Sequence, residues 1–296
     1  MCRGVETETA CGLEIVWSNP EIVLHEDDPC IRMSYPDLRE EAGAIYLTET
    51  QKSIARVHLI DTRLSRALRH GAKGFTAEEI RREAVLAWSG NFLAANLPEL
   101  PPFLAKSPES PYGTSDLRAG FSLELEIDMV FIDPPGVIVE SWHPATGGFR
   151  LEAANDGSLR TQFSDGRTEF TWASDTGMLR ESAQHHVVIC IDGGPKIISI
   201  FIDGILCDGG VQRQFGWGRF SPGFRGLPNG IPLSAERPDS VKSLRIYPRS
   251  LFAAEVEALF LLAAGPGASS GREWDLTVNP DFKETSSLNK SLGATP

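Results

Sequence analysis

Glu124, Glu126 and Asp128 stand at i, i+2 and i+4 in the run Phe121-Ser-Leu-Glu-Leu-Glu-Ile-Asp128. On a strand this spacing turns all three carboxylates to one face, with neighbours about 7 Å apart. Two carboxyl groups so placed can share the roles of a glycosidase. Glu126 and Asp128 are thus candidates for catalysis, although no complete catalytic motif surrounds them. The same residues also read as the solvated face of an amphipathic strand.

A second chemistry lies in the segment Gln212-Arg-Gln-Phe-Gly-Trp-Gly-Arg-Phe-Ser-Pro-Gly-Phe-Arg225, where four aromatic rings and three arginines share a Gly/Pro-rich loop. Sugars present apolar C–H faces that stack on such rings, while Arg and Gln bond hydroxyls, and rigid sandwiches carry binding residues on loops. Trp217 is the leading contact, with Phe215, Gln214, Arg219 and Arg225 around it. The alternative is that the rings plug one end of the fold as the loop's own core. Trp142 and Trp172, on predicted strands, read as core.

His185 and His186 are adjacent, so a strand sends them to opposite faces and one of them inward; they cannot chelate one metal together. The five cysteines are scattered, with no C-x-x-C pattern. Cys190 and Cys207 flank one intervening strand, about two strand spacings or roughly 10 Å apart, which predicts two buried thiols and no bridge. No cofactor is expected; Asp156 or Asp175 could contribute to a calcium site, without a specific motif. No Ser or Cys has a local base that spacing identifies.

The partner class follows from charge. Forty acidic residues against 28 basic leave a net charge of -12, which repels a nucleic-acid backbone. No apolar run reaches the roughly 20 residues of a membrane span, and residues 1–12 lack the pattern of an export signal.

The elements that must hold these residues can be placed. Five prolines between Pro98 and Pro111 disfavour helix and central strand alike, marking a linker over 98–115. Phe121, Leu123, Leu125, Ile127, Met129 and Phe131 alternate with polar residues, the period of a strand buried on one face. Further strands are expected at Val137–Trp142, Phe149–Ala153, Leu159–Phe163, Glu169–Ala173, His185–Asp192, Lys196–Asp203 and Val241–Tyr247. Asn155-Asp-Gly157, Ser164-Asp-Gly166, Asp192-Gly-Gly-Pro195 and Asp203-Gly204 supply turns between them. Short strands with turns about every ten residues imply an antiparallel sandwich over 116–264. Ser250 can cap a closing helix over Leu251–Ala264 that Gly265 stops, and Thr76 with Glu79 forms a capping box for a helix to about Ala84. Residues 265–296 read as a loosely packed tail.

Three stretches carry a resemblance: His185-His-Val-Val-Ile-Cys-Ile-Asp192, Lys196-Ile-Ile-Ser-Ile-Phe-Ile-Asp-Gly204 and Val241-Lys-Ser-Leu-Arg-Ile-Tyr-Pro-Arg-Ser-Leu251. In this order they resemble signatures of laminin-G/concanavalin-like domains, departing at Gln184, where Trp is usual, and at Pro248, where Asn is usual. The resemblance implies an all-β, concanavalin-like jelly roll with a short C-terminal helix, in a family that binds glycans or proteins. Laminarinase-type glucanases share that fold and use Glu-x-Asp-x-Glu or Glu-x-Asp-x-x-Glu; here Phe131 stands where the proton donor belongs, which favours scaffold over catalysis.

Upstream, Trp17-Ser-Asn-Pro-Glu-Ile-Val-Leu24, Met33-Ser-Tyr-Pro-Asp-Leu38, Ala44-Ile-Tyr-Leu-Thr-Glu-Thr50 and Ala55-Arg-Val-His-Leu-Ile60 resemble the closing blade of a sialidase-like, BNR-repeat propeller, which makes 1–97 a small β-rich segment with a helical connector. The resemblance implies that Tyr35, Asp37, Tyr46, Glu49 and Arg56 are of the types such propellers gather at a central active site, where Arg holds a carboxylate and Tyr or Glu serves catalysis. One blade cannot bury both its faces. The alternative is that residues 13–60 form a few strands packed on the sandwich. Ser164-Asp-Gly-Arg-Thr168 departs from the Asp-box spacing and reads as a plain turn.

The expected function is a non-catalytic, glycan-binding module from the C-terminal part of a larger sialidase-like protein, extracellular or periplasmic if that protein is exported. A glycoside hydrolase or polysaccharide lyase, and a protein-interaction module, are the alternatives.

Overall fold

The computed structural model describes residues 1–9, 12–25, 34–50, 55–90, 94–100, 120–129, 136–207, 218–224, 226–236 and 238–265. The N-terminal part contains a hairpin, β1 (Gly4–Thr9) and β2 (Gly12–Trp17), then a three-stranded sheet, β3 (Ser34–Glu41), β4 (Ala44–Thr50) and β5 (Ala55–Leu59). Two short helices follow, α1 (Thr62–His70) and, after a 3-10 turn at Gly71–Gly74, α2 (Ala77–Arg81). Strands β6 (Leu86–Ser89) and β7 (Ala94–Asn96) lead toward the sandwich. Its long strands are β8 (Gly120–Met129), β9 (Gly136–His143), β10 (Gly147–Ala153), β11 (Leu159–Ser164), β12 (Glu169–Ala173), β13 (Ala183–Asp192) and β14 (Ile197–Ile202). The short strands β15 (Ile205–Leu206), β16 (Gly218–Arg219) and β17 (Pro232–Ser234), then β18 (Val241–Tyr247) and the helix α3 (Ala253–Ala264), complete the chain order.

Two antiparallel sheets face each other. One runs β12-β11-β10-β9-β17-β7; the other runs β15-β14-β13-β8-β18-β6, with β16 beside β14. The expected sandwich is therefore present, and Leu86–Ser89 and Ala94–Asn96, within the stretch read as a connector, add an edge strand to each sheet. Alternation explains the interior: Phe121, Leu123, Leu125 and Ile127 of β8, Val187, Ile189 and Ile191 of β13, and Leu244 and Ile246 of β18 point inward to meet Phe149, Leu151 and Phe163 of the facing sheet. At Asp203-Gly204 both residues have positive φ, 52° and 75°, the requirement of the tight hairpin anticipated there.

A third layer covers the outer face of the second sheet. Val188, Cys190, Phe201, Leu206 and Tyr247 on that face pack with Leu64 and Ala67 of α1, Ile80 of α2, Val256 and Leu259 of α3, and Val23, Leu47 and Ile60 of the N-terminal part. Two expectations change here. At Glu124 the outer face of β8 is not solvated, because α2 lies over it, while Glu126 and Asp128 further along stay partly exposed; and both adjacent histidines, not one, are buried. Cys190 and Cys207 are the buried thiols expected.

The helix caps also shift. Ser122 Oγ on β8 accepts the Leu251 N–H at 3.0 Å, so the chain stays extended past Ser250 and α3 starts after Phe252, whose N–H is accepted by Glu255. The buried Glu21 accepts the Ala254 N–H, tying the N-terminal part to this helix start. Thr76 caps α2 as expected, but the Glu79 carboxylate turns instead to Arg66 at 2.7 Å, and α2 ends at Arg81 as the chain joins the sheet through Val85.

Candidate functional site

Alternation gathers charge under α2. Glu124, fully buried, accepts from Arg81 at 2.9 Å and from His186 Nε2 at 3.2 Å, while its other oxygen accepts the Tyr247 hydroxyl. Arg245 from β18 lies 3.6 Å away. Burial alone would raise the Glu124 pKa; the bonds from His186 and Tyr247 and the Arg81 charge outweigh it and hold the value at about 2. Burial and the Glu124 charge push the Tyr247 phenol upward, so it stays a donor. This cluster pins α2 to the sheet and keeps Glu124 ionised, so it is no proton donor at ordinary pH.

The candidate carboxylates beside it are occupied too. Glu126 pairs with Arg81 at 3.2 Å, and Asp128 with Lys242 at 3.7 Å. Phe131 lies outside the described residues. On the inner face, His185 Nδ1–H donates to Asp203 at 2.7 Å while its Nε2 accepts the Arg180 N–H at 2.8 Å, which locks the turn at Asp203.

Of the residues assigned by resemblance to a propeller site, Glu49 and Arg56 are brought together and the others are not. Glu49 and Arg56 pair across β4 and β5 at 2.7 Å, on the face of that sheet that packs inward. Tyr46 is three residues from Glu49 and therefore on the opposite face. Asp37 is exposed against Arg39 at 3.2 Å, and Tyr35 is 86% exposed.

Of the aromatic loop, Gln214, Phe215, Trp217 and Arg225 lie outside the described residues. Arg219 is exposed on β16, whereas Phe220 and Phe224 are buried against Phe170, with ring centroids 5.0 and 5.1 Å away. These two rings do plug the sandwich. Trp172 packs at the margin of the core, while Trp142 lies under the Arg150 guanidinium at 5.2 Å. Asp156 is engaged by Ser158, and among the described residues no group of three or more His, Cys, Asp or Glu could hold a metal ion.

Among the described residues, a cleft with room for a small ligand is lined by residues to which sequence reasoning assigned no site role. A concavity of about 210 Å³ lies between the β1–β2 hairpin, the Gly71–Gly74 turn, the β14–β15 turn and α3. Trp17, 42% exposed, is among the lining residues with Val5 and Val16, and Arg3, Asn19, His70 and Lys73 are among the polar ones. Gly4 opposes Trp17 in the hairpin register, and a Cβ there would come within 3.0 Å of the indole; glycine leaves the ring its place. Sequence contained one signal for this site, an aromatic next to Ser-Asn-Pro, but not its neighbours 50 and more residues away.

No protein-family model matches the sequence, and no curated protein does. Solved structures show partial likeness. The CBM40 module of the Ruminococcus gnavus IT-sialidase, bound to α2,3-sialyllactose, is 14% identical with a TM-score of 0.33, over 57% of this chain and 94% of that one. The leech intramolecular trans-sialidase is 13% identical, TM-score 0.38, over 60% of this chain and 28% of its own. The binding domain of botulinum neurotoxin serotype D is 11% identical, TM-score 0.37, over 47% and 36%. Likeness of this extent names no ligand for this chain, and the chemistry of the site has to supply one.

Proposed function

We propose that this chain is a non-catalytic glycan-binding module whose binding site is the Trp17 cleft. One observation carries the reading: a partly exposed tryptophan, Trp17, lines a concave cleft together with Asn19, His70 and Lys73. An indole offers the apolar C–H face of a sugar a stacking surface, and the neighbouring groups suit its hydroxyls. At about 210 Å³ the cleft falls below the roughly 300–1,000 Å³ of drug-sized sites, which suits one or two sugar units better than a long chain.

The module is of laminin-G type and belongs to the C-terminal part of a larger, exported, sialidase-like protein. The ordered triplet of strand signatures supports the first statement. Apolar side chains left in water on the N-terminal strands, Leu13 at 74% and Leu59 at 59% exposure, support the second, since a blade needs neighbours to cover it. Further repeats like Tyr35–Ile60 encoded upstream of Met1 are expected; a gene without them would remove the larger-protein reading.

A glycan array probed with wild type, Trp17→Ala and Trp217→Ala tests the binding site. Loss of signal in Trp17→Ala, with an unchanged circular dichroism spectrum, is the expected result. A wild type that binds nothing ends the glycan reading, and loss confined to Trp217→Ala moves the site to the 212–225 loop.

A further inference from the structure

We infer that the Trp17 cleft selects a sugar carrying an anionic group, a carboxylate or a sulfate ester; this rests on the glycan reading above. Three residues with nitrogen-bearing side chains line it from separate elements: Arg3 ahead of β1, His70 at the end of α1, and Lys73 in the turn that follows. None of these side chains has an ion-pair or hydrogen-bond partner among the described residues. Elsewhere the helices leave their cations paired: Arg63, Arg66, Arg69 and Arg81 all reach carboxylates. In a chain with 40 acidic and 28 basic residues, unpaired cations gathered in one concavity stand out from that pattern.

The placement of Arg3 adds shape to charge. Its Nη1 lies over Gly71, where a Cβ would stand only 3.3 Å away, and Gly71 itself has a φ of 57°, a conformation glycine adopts freely. A guanidinium laid along a buried wall presents a planar fork to a carboxylate or sulfate, which a flexible ammonium does not. Glu257 on α3 is the one carboxylate among the described lining residues, so among these Arg3 and Lys73 leave the cleft positive within a chain of net charge -12. A concave site with low-dielectric walls concentrates that field and draws in an anion. Beside it, Trp17 offers the apolar surface that a bare inorganic ion would not use.

Calorimetric titration of the full chain separates the cases, using a galacturonate trisaccharide, a 6-sulfated galactose trisaccharide, the uncharged galactose trisaccharide and inorganic sulfate. One acidic trisaccharide is expected to bind at least about 10-fold tighter than the neutral one, the loss expected when a charge-assisted bond is missing. The preference should weaken with salt. Arg3→Gln with Lys73→Gln should reduce the acidic ligand to the affinity of the neutral one, while Arg160→Gln, exposed on the far sheet, keeps the preference. The tighter of the two acidic ligands identifies carboxylate or sulfate. Equal binding of neutral and acidic ligands, abolished by Trp17→Ala, would overturn the charge inference and leave the glycan reading standing. Binding of nothing, or indifference to Trp17→Ala, would remove that reading and this inference with it. Inorganic sulfate binding as tightly as the sulfated sugar would also overturn the inference, since the cleft would then be an ion site without a sugar.

Discussion

His186 Nε2 and a carboxylate oxygen of Glu124 meet across adjacent strands at 3.2 Å, on a sheet face that alternation alone would assign to water. The pair exists because α2 and α3 cover that face. Arg81 comes down from α2 to complete it.

Glu124→Gln should destabilise the fold by about 3–5 kcal/mol at pH 7, because Arg81 and Arg245 are left facing a neutral amide in a buried place. The pH dependence has a definite sign. The folded pKa of about 2 lies below the ordinary 4.5, so the contribution is whole above pH 4.5 and is lost as pH falls from there toward 2. Asp203, whose pKa is also lowered against its burial by His185, adds a slope of the same sign. Urea midpoints at pH 7, 4 and 3 measure it, and an acid dependence identical in wild type and Glu124→Gln would refute the assignment.

Glu255 is the hub of a second cluster, in which Arg249 grips its two oxygens at 2.7 and 2.9 Å and Arg63 reaches it from α1. Glu83 bridges the same two arginines. Replacing Glu255 by Ala should cost about 3–5 kcal/mol, since it is fully buried, whereas Glu83→Ala, partly exposed, should cost about 1 kcal/mol or less. Thermal denaturation of the two variants ranks them, and a larger loss in Glu83→Ala would contradict this ordering.

Gly148→Ala tests the β9–β10 ladder. An added Cβ would fall 1.8 Å from the Ser141 carbonyl oxygen, at a φ of 147° that L residues rarely adopt. The expected loss is about 3 kcal/mol or more, since the clash is with backbone. A soluble variant with an unchanged melting temperature would show that the hairpin pairs otherwise.

Gly4→Val acts on the cleft from behind. Its side chain would displace Ile15 and the Trp17 ring, while valine suits an exposed strand. Glycan affinity should fall about tenfold or more with a melting temperature near wild type, so titration and denaturation together distinguish a misplaced indole from an unfolded hairpin.

Glu126→Gln with Asp128→Asn should change stability by no more than about 1 kcal/mol per ion pair, because both side chains are partly exposed, and should leave glycan binding intact. Any hydrolysis of a glycan by the wild type that these substitutions abolish would restore the enzymatic alternative.

Much of the sandwich was legible because its strands obey local rules. The alternation from Phe121 to Met129 and the turn at Asp203-Gly204 need only period two and a residue that tolerates positive φ. Glu124 was not legible: alternation says that it and Leu125 face opposite ways, but not what covers either side. Ser250 was the better cap by type, yet Ser122 on a distant strand holds the chain extended through Leu251 and leaves the cap's role to Glu21, which accepts the Ala254 N–H. Tyr46 and Glu49 carried a shared assignment by resemblance that their odd spacing on β4 separates.

By itself the sequence determined the long strands, their turns and the inward set of apolar residues, since each depends on neighbours a few positions away. Only the tertiary structure decided that the outer face of β8 would be roofed by helices and that Arg3, Trp17, Lys73 and Glu257 would line one cleft. Those outcomes depend on which surfaces cover one another across more than 200 residues, and packing of that range leaves no period in the chain.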